Sequence, residues 1–152
     1  MLVSQDRPPQ ELKTRLASAA VMRTHAVGGA TRILIVDQDR QVGVSLSFML
    51  SARQYDDVRV VRSARRAVSI TDQFRPELVF LELDLPEEGG IGVARQLARN
   101  TRNPRPRLIA LTMQAEHPLR QEARAAGFER FLVKPVLHEE LDKILGISRA
   151  AT

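Results

Sequence analysis

The stretch PELVFLELDLPEEGG, residues 76–90, decides the fold of this chain. Its apolar run Leu78–Leu81 has the length and composition of a short β-strand that is buried on both faces. Two acids, Glu82 and Asp84, follow the run, and a pair of glycines precedes the next periodic apolar segment. A buried strand that ends in carboxylates and leads into a helix is typical of a parallel α/β sheet.

Segments of the same two kinds alternate along the chain on both sides of this stretch. Four further strands are predicted, at Ile33–Val36, Val58–Val61, Leu108–Leu111 and Phe131–Val133. Five helices are predicted, at Gln41–Ala52, Ala64–Phe74, Ile91–Asn100, Leu119–Ala126 and His138–Leu145. Strands that alternate with helices of this length indicate a parallel sheet with helices on both faces.

Polar residues follow four of the predicted strands. They are Asp37-Gln38-Asp39, Glu82 with Asp84, Thr112, and Lys134-Pro135. Because the binding crevice of an open parallel sheet lies beyond the carboxyl ends of its strands, we expect these groups to lie close together. The convergence of acids, a hydroxyl and a lysine is far more specific than any one of these motifs alone.

Taken together, these residues resemble the receiver domain of two-component response regulators. The resemblance is strongest at residues 33–37, 76–90 and 127–135. It implies a flavodoxin-like, doubly wound sheet of five parallel strands in the order 2-1-3-4-5. It also divides the chain into a leader (residues 1–31), a receiver domain (residues 32–147) and a short tail (residues 148–152).

The resemblance assigns roles to the polar residues. In that family an acidic pair after the first strand helps bind a magnesium ion, and an aspartate at the end of the third strand accepts a phosphoryl group. It makes Asp37 the first acid of the pair, and it makes Thr112 and Lys134 contacts to the phosphoryl group. Pro135 is then a cis proline, and Phe131 is the aromatic residue that reports the switch.

Three positions depart from the family pattern, and each departure has a physical consequence. Gln38 replaces the second acid, so Mg²⁺ loses a carboxylate ligand, and we expect Asp37 and Glu82 to hold the ion only weakly. Glu82 replaces the acceptor aspartate, and its longer side chain places the carboxylate about 1.5 Å too far, a displacement that can cost ~100-fold in rate. Met113 follows Thr112 and is expected to crowd the path of a phosphodonor. No other cofactor is expected.

Two interpretations of Glu82 stay open. Its longer side chain can reach Lys134 and form an ion pair that maintains an active-like site, or Glu82 is a relic in a domain kept for its binding surface. Asp84 is either a compensating acceptor or metal ligand, or a solvated loop acid, and the second interpretation is favoured. The histidines lack metal-ligand spacing and are expected in surface or capping roles; they are His25, His117 and His138.

Three functional hypotheses follow. The first is a stand-alone, non-enzymatic receiver that needs no phosphate and acts on a sensor histidine kinase or another signalling protein, with a homodimer surface at Leu119–Leu145. The second is a working phosphorelay receiver that uses Glu82 or Asp84 with Mg²⁺. The third is a nucleic-acid-binding regulator that uses the leader and the arginine-rich segment Arg99–Arg107.

Composition narrows these hypotheses. The net charge is +5, but residues 1–32 account for +3 of it, which leaves a weak basic footprint for nucleic acid on the rest of the chain. The absence of cysteine excludes disulfides and thiol catalysis. No apolar run approaches the roughly 18 residues that span a bilayer, so a cytoplasmic protein without membrane contact is expected.

In the leader, Leu12, Leu16 and Ala19-Ala20 recur at helical spacing, which fits either a mobile segment or a docked or dimerising helix.

Overall fold

The computed structural model describes residues 31–148 as a single alternation of strands and helices. The strands are β1 (Ile33–Val36), β2 (Val58–Val61), β3 (Leu78–Glu82), β4 (Arg107–Thr112) and β5 (Phe128–Val133). The helices are α1 (Arg40–Ser51), α2 (Ala64–Phe74), α3 (Gly89–Arg99), α4 (Arg120–Ala125) and α5 (His138–Leu145). None of the helices in this described part is long and apolar enough to cross a membrane. The predictions made for residues 1–30 and 149–152 lie outside the described range.

The five strands form one parallel sheet in the order β2-β1-β3-β4-β5. Alternate side chains of the central strands enter two different cores, so each strand is apolar on both faces. Ile33 and Ile35 pack in the core beneath α1 and α5, whereas Leu34 and Val36 pack in the core beneath the other three helices. This arrangement confirms the predicted fold class and strand order.

The largest difference from the predicted elements concerns β5. The strand begins at Phe128, three residues before the predicted start at Phe131. Gly127 has φ of +115°, a conformation that suits glycine, and it turns the chain from α4 directly into the strand. Phe128 then pairs with Leu108, at a point where the register between β4 and β5 shifts. The apolar run alone does not show this start, because Glu129 and Arg130 interrupt it.

Gly90 fixes the way in which α3 leaves the end of β3. Its backbone N–H donates to the Leu83 carbonyl at 3.0 Å. A Cβ atom at this position would overlap the Glu82 carbonyl and lie 3.0 Å from the Leu83 Cα atom. Only glycine therefore allows the helix to begin this close to the strand, and this close approach holds the backbone of Glu82 in place.

Candidate functional site

Three charged side chains meet at the carboxyl edge of the sheet. Asp37 directly follows β1, Glu82 is the last residue of β3, and Lys134 directly follows β5. The Lys134 Nζ atom lies 2.9 Å from Asp37 Oδ2 and 2.9 Å from Glu82 Oε1. Exposed fractions are 0% for the Asp37 side chain and 7% for each of the other two. One buried ammonium thus bridges two buried carboxylates.

Backbone donors occupy the remaining carboxylate oxygens. The Asp39 N–H donates to Asp37 Oδ1 at 2.8 Å, and the Gln38 N–H donates to Glu82 Oε2 at 3.2 Å. Every oxygen of the two buried carboxylates therefore has a donor from the chain itself. Such complete pairing is what makes a buried charge tolerable, because an unpaired one costs several kcal/mol in lost solvation.

Burial and pairing act in opposite directions on the pKa values of this cluster. Burial raises the pKa of Asp37, and the hydrogen bonds from Lys134 and the Asp39 N–H only partly offset that rise. Burial lowers the pKa of Lys134, but its hydrogen bonds to Asp37 and Glu82 outweigh burial, so that the pKa is raised. Lys134 therefore stays charged, while Asp37 protonates more readily than an ordinary aspartate.

The side chain of Gln38 places an amide beside the loop after β3. Its Nε2 donates to the Asp84 carbonyl at 3.3 Å, and its own backbone carbonyl accepts from Arg62 Nε at 3.2 Å. Asp39 is also occupied, because Oδ1 accepts the Gln41 N–H at 2.9 Å and caps α1. A cation would need a second carboxylate at the position of Gln38, and the side chain presents an N–H donor instead.

The residues present are a poor set of ligands for a magnesium ion. Mg²⁺ needs anionic oxygen ligands in near-octahedral geometry, and the two carboxylates here are already paired with Lys134. Within residues 31–148, no group of three or more His, Cys, Asp or Glu side chains is placed to hold a metal. At the weak site expected from the sequence, Asp37 and Glu82 are therefore two acids that already share one ammonium.

Thr112 and Met113 lie at the end of β4. Thr112 is fully buried, and its hydroxyl donates to the Gln114 carbonyl at 3.2 Å and accepts the Gln114 N–H at 3.0 Å. The hydroxyl is thus held in a local turn. The Met113 side chain is 66% exposed, which leaves an apolar side chain at the rim of the site.

His117, which was expected in a surface or capping role, joins two loops of the site. The His117 side chain is buried, and its Nε2 atom lies 2.9 Å from Asp84 Oδ1. Its Nδ1 atom accepts the Leu119 N–H at 3.0 Å, so Nε2 carries the proton that is donated to Asp84. Asp84 is half exposed, as a loop acid was expected to be, but it is not merely solvated. The contact joins residues 33 positions apart, and no local sequence pattern signals it.

Phe131 and Pro135 complete the positions named from the sequence. The Phe131 ring is partly buried, and the guanidinium carbons of Arg120 and Arg124 lie 4.2 Å and 5.2 Å from its centre. Both distances are within the range of a cation–π interaction. The Lys134–Pro135 peptide bond is cis, in agreement with the resemblance.

Comparison with known proteins identifies relatives of this arrangement. The family model for the response regulator receiver domain matches residues 33–146. The chain is 37% identical over 110 residues to the response regulator MprA of Mycolicibacterium vanbaalenii, covering 72% of this chain and 46% of MprA. It is 29% identical over 104 residues to the transcriptional regulatory protein PdtaR of Mycobacterium tuberculosis, covering 68% and 49%. This chain therefore spans about half the length of both relatives.

Solved structures show the same fold. The chemotaxis protein CheY4 of Vibrio cholerae superposes with a TM-score of 0.71 at 22% identity, covering 78% of this chain and 98% of CheY4. The receiver domain of the sensor histidine kinase PA1611 from Pseudomonas aeruginosa gives a TM-score of 0.69 at 26% identity, covering 77% and 95%. That domain carries a magnesium ion coordinated in its active-site cleft.

We predict that Lys134→Met destabilises the protein by about 3–5 kcal/mol at pH 7, because two buried carboxylates lose their shared counter-charge. The pKa of Asp37 is already raised, and removal of Lys134 raises it further. The stability that a carboxyl with a raised folded-state pKa contributes is lost as the pH rises through that pKa, so the deficit shrinks as the pH falls from 7 towards the pKa of Asp37. Urea unfolding at several pH values measures both effects.

Lys143→Met is the matched control for this substitution. Its ammonium lies 3.4 Å from Glu140, and both side chains are about half exposed. We expect little change in stability from it. Adding Glu82→Gln to Lys134→Met restores part of the loss, and a double variant no more stable than the single one contradicts the predicted charge pairing.

We predict that His117→Ala destabilises the fold by about 1–3 kcal/mol, because the Leu119 N–H and the Asp84 carboxylate both lose a partner near a buried position. Asp84→Asn keeps an acceptor oxygen for Nε2 and is expected to cost less. Equilibrium unfolding in urea compares the two variants. Equal stability of His117→Ala and the parent chain is inconsistent with the described contact.

Proposed function

Because this chain belongs to the response regulator receiver domain family of two-component signalling, we propose that it is an atypical receiver that signals without phosphorylation. The observation that carries the proposal is the contact of Lys134 with both Asp37 and Glu82 at 2.9 Å. Donors of the chain itself occupy the carboxylate oxygens of the site. In this proposal the protein acts through contacts with other proteins and not by catalysis, and the cytoplasmic location expected from the sequence is part of the proposal.

The contacts of Glu82 support the proposal that this residue is not phosphorylated. An acceptor carboxylate must present a free oxygen in line with the donor phosphorus. Both Glu82 oxygens are hydrogen-bonded, one to Lys134 and one to the Gln38 N–H, and the residue is only 5% exposed. To react, Glu82 must give up these contacts, and its extra methylene group then places the oxygen wrongly by an amount that costs ~100-fold in rate.

Gln38 supports the same proposal, because an amide at this position weakens the binding of Mg²⁺. Transfer of a phosphoryl group depends on cations that neutralise the charge developing on its oxygens. The Gln38 amide donates to the Asp84 carbonyl at 3.3 Å and adds no negative charge to the site. A receiver that binds Mg²⁺ weakly lacks this means of stabilising the transition state.

Acetyl phosphate with Mg²⁺ tests the proposal directly. We expect no gain of a phosphoryl group in the intact mass of the parent chain. The double variant Glu82→Asp with Gln38→Asp shortens the acceptor and restores the missing carboxylate, so we expect it to gain one phosphoryl group at least ~100-fold faster than the parent.

Two alanine variants identify the acceptor if the parent chain gains mass. A phosphoryl group that Glu82→Ala or Asp84→Ala abolishes would establish the phosphorelay hypothesis and overturn the present one. Failure of the double variant to gain mass, with its fold intact by circular dichroism, would show that features other than these two residues block the reaction.

The surface we propose for partner binding is formed by residues 119–145, which include α4, β5 and α5. Three large apolar side chains lie exposed on it, with exposed fractions of 41% for Leu119, 42% for Val133 and 59% for Leu137. Exposed apolar side chains that lie close together are typical of protein interfaces. The partner we propose is a sensor histidine kinase or another signalling protein, and a second copy of this chain binds the same face.

We predict that Leu137→Asp weakens self-association, because a charge then replaces the most exposed of the three apolar side chains. The expected increase in the dimer dissociation constant is at least about tenfold. Sedimentation equilibrium of the parent chain and the variant measures it. A parent chain that stays monomeric at high protein concentration rules out the homodimer.

The arginine-rich segment supports a nucleic-acid partner less well. Arg107 is paired with Glu129 at 2.6 Å and also donates to the Ile144 carbonyl at 3.2 Å. At least one arginine of the segment is therefore engaged within the fold, and the segment has no aromatic residue that could stack on bases.

A further inference from the structure

An apolar groove of about 580 Å³ lies between α1 and the edge strand β2. Phe48 is 74% exposed there, and Val44 and Val60 are 48% and 42% exposed. Four of the α1 residues that line the groove recur at helical spacing, namely Val44, Ser47, Phe48 and Ser51. A helix face with apolar residues one turn apart and no partner is the surface that an amphipathic helix binds.

The groove exists because α1 and β2 approach each other closely. Gly43 lies on the inner side of α1, and a Cβ atom there would lie 2.6 Å from Val60 Cγ1. Without that side chain, Val60 packs against the helix backbone and forms the floor of the groove. Phe48 lies one turn beyond Val44 and forms its wall.

The two ends of the groove carry opposite charges. Arg40 and Arg62 line the end near the site, where Arg62 donates to the Gln38 carbonyl. At the other end, the Ser51 hydroxyl donates to Asp56 Oδ1 at 3.2 Å, and Asp57 is the next residue. The apolar part of the groove therefore lies between its charged ends, at Val44, Phe48 and Val60.

The leader joins the domain at the acidic end of this groove. The backbone N–H of Ile33, the first residue of β1, donates to the Asp57 carbonyl at 3.0 Å. The thirty residues before Thr31 are therefore attached beside Asp56 and Asp57. Attachment this close gives the leader a high effective concentration at the groove, on the millimolar scale for short flexible linkers.

The leader sequence has a matching apolar face. Leu12, Leu16 and Ala19-Ala20 recur at helical spacing between Glu11 and Arg23, and Lys13 and Arg15 lie outside that apolar set. As a helix, residues 11–23 would be about 18 Å long, close to the roughly 17 Å of α1. Residues 24–31 can span up to about 26 Å, and Gly28-Gly29 allows the chain to reverse direction into β1.

We propose that residues 11–23 of this chain bind in the groove as a helix parallel to α1. In this arrangement the leucines cover Phe48 and Val44, and the end of the helix at Arg23 lies near Asp56, where the leader joins β1. The leader then covers the outer face of α1 and excludes any partner that binds there. This inference goes beyond the proposed function and does not depend on whether Glu82 is phosphorylated.

Disulfide trapping in the full-length chain tests the proposal, because the protein has no cysteine of its own. Ala19→Cys is combined with Ser47→Cys, which lies in the groove. The matched pair combines Ala19→Cys with Thr101→Cys, an exposed small polar residue after α3. Both pairs are oxidised mildly at low protein concentration, and the crosslinked monomer is quantified by intact mass.

We expect the within-chain disulfide to Ser47→Cys to form at least about tenfold faster than the one to Thr101→Cys. Adding Phe48→Asp to the first pair removes an apolar contact at an exposed position and should slow its disulfide by about tenfold. Equal rates for the two pairs, no within-chain disulfide, or no effect of Phe48→Asp would overturn the proposal. A disulfide-linked dimer as the main product would place the leader of a second copy in the groove and also overturn it.

Discussion

The site depends on one constraint, which is that two carboxylates are buried at adjacent strand ends and need a cation between them. Asp37 and Glu82 follow the neighbouring strands β1 and β3, so the parallel sheet itself brings like charges together. Lys134 comes from β5, on the far side of β4, and its long side chain reaches both acids. The desolvation of three charges opposes their attraction, and the donor on every carboxylate oxygen lowers that cost. Removal of Lys134 would leave two buried carboxylates without a counter-charge.

The side chains around this cluster follow from the same constraint. A site that already holds two carboxylates and one ammonium would gain repulsion from a further acid, and Gln38 supplies an amide that donates to the Asp84 carbonyl. Thr112 satisfies its hydroxyl within its own turn, and His117 joins the loops after β3 and β4 through Asp84. Side chains of the protein thus supply contacts between the loops around the site.

Much of the fold could be predicted from the sequence, because the central strands β1 and β3 are short apolar runs and most of the helices have an apolar stripe. The strand ends also identified the residues of the site, since a parallel sheet brings all its carboxyl ends to one edge. What could not be predicted depends on contacts between distant residues. The pairing of His117 with Asp84 depends on how two loops fold over the sheet, and the early start of β5 at Phe128 depends on Gly127. Local patterns carry no signal for either feature.

Two arginines lie over the Phe131 ring, so the conformation of that ring depends on the charged surface beside it. Arg120 and Arg124 lie over the ring from α4, so their guanidinium groups are held against β5. An acidic partner that drew either arginine towards itself would uncover the ring and free it to change rotamer. By thermodynamic linkage, a rotamer that released the arginines would in turn favour the acidic partner to the same extent. Recognition of such a partner and reorientation of the ring would then be coupled through these two arginines.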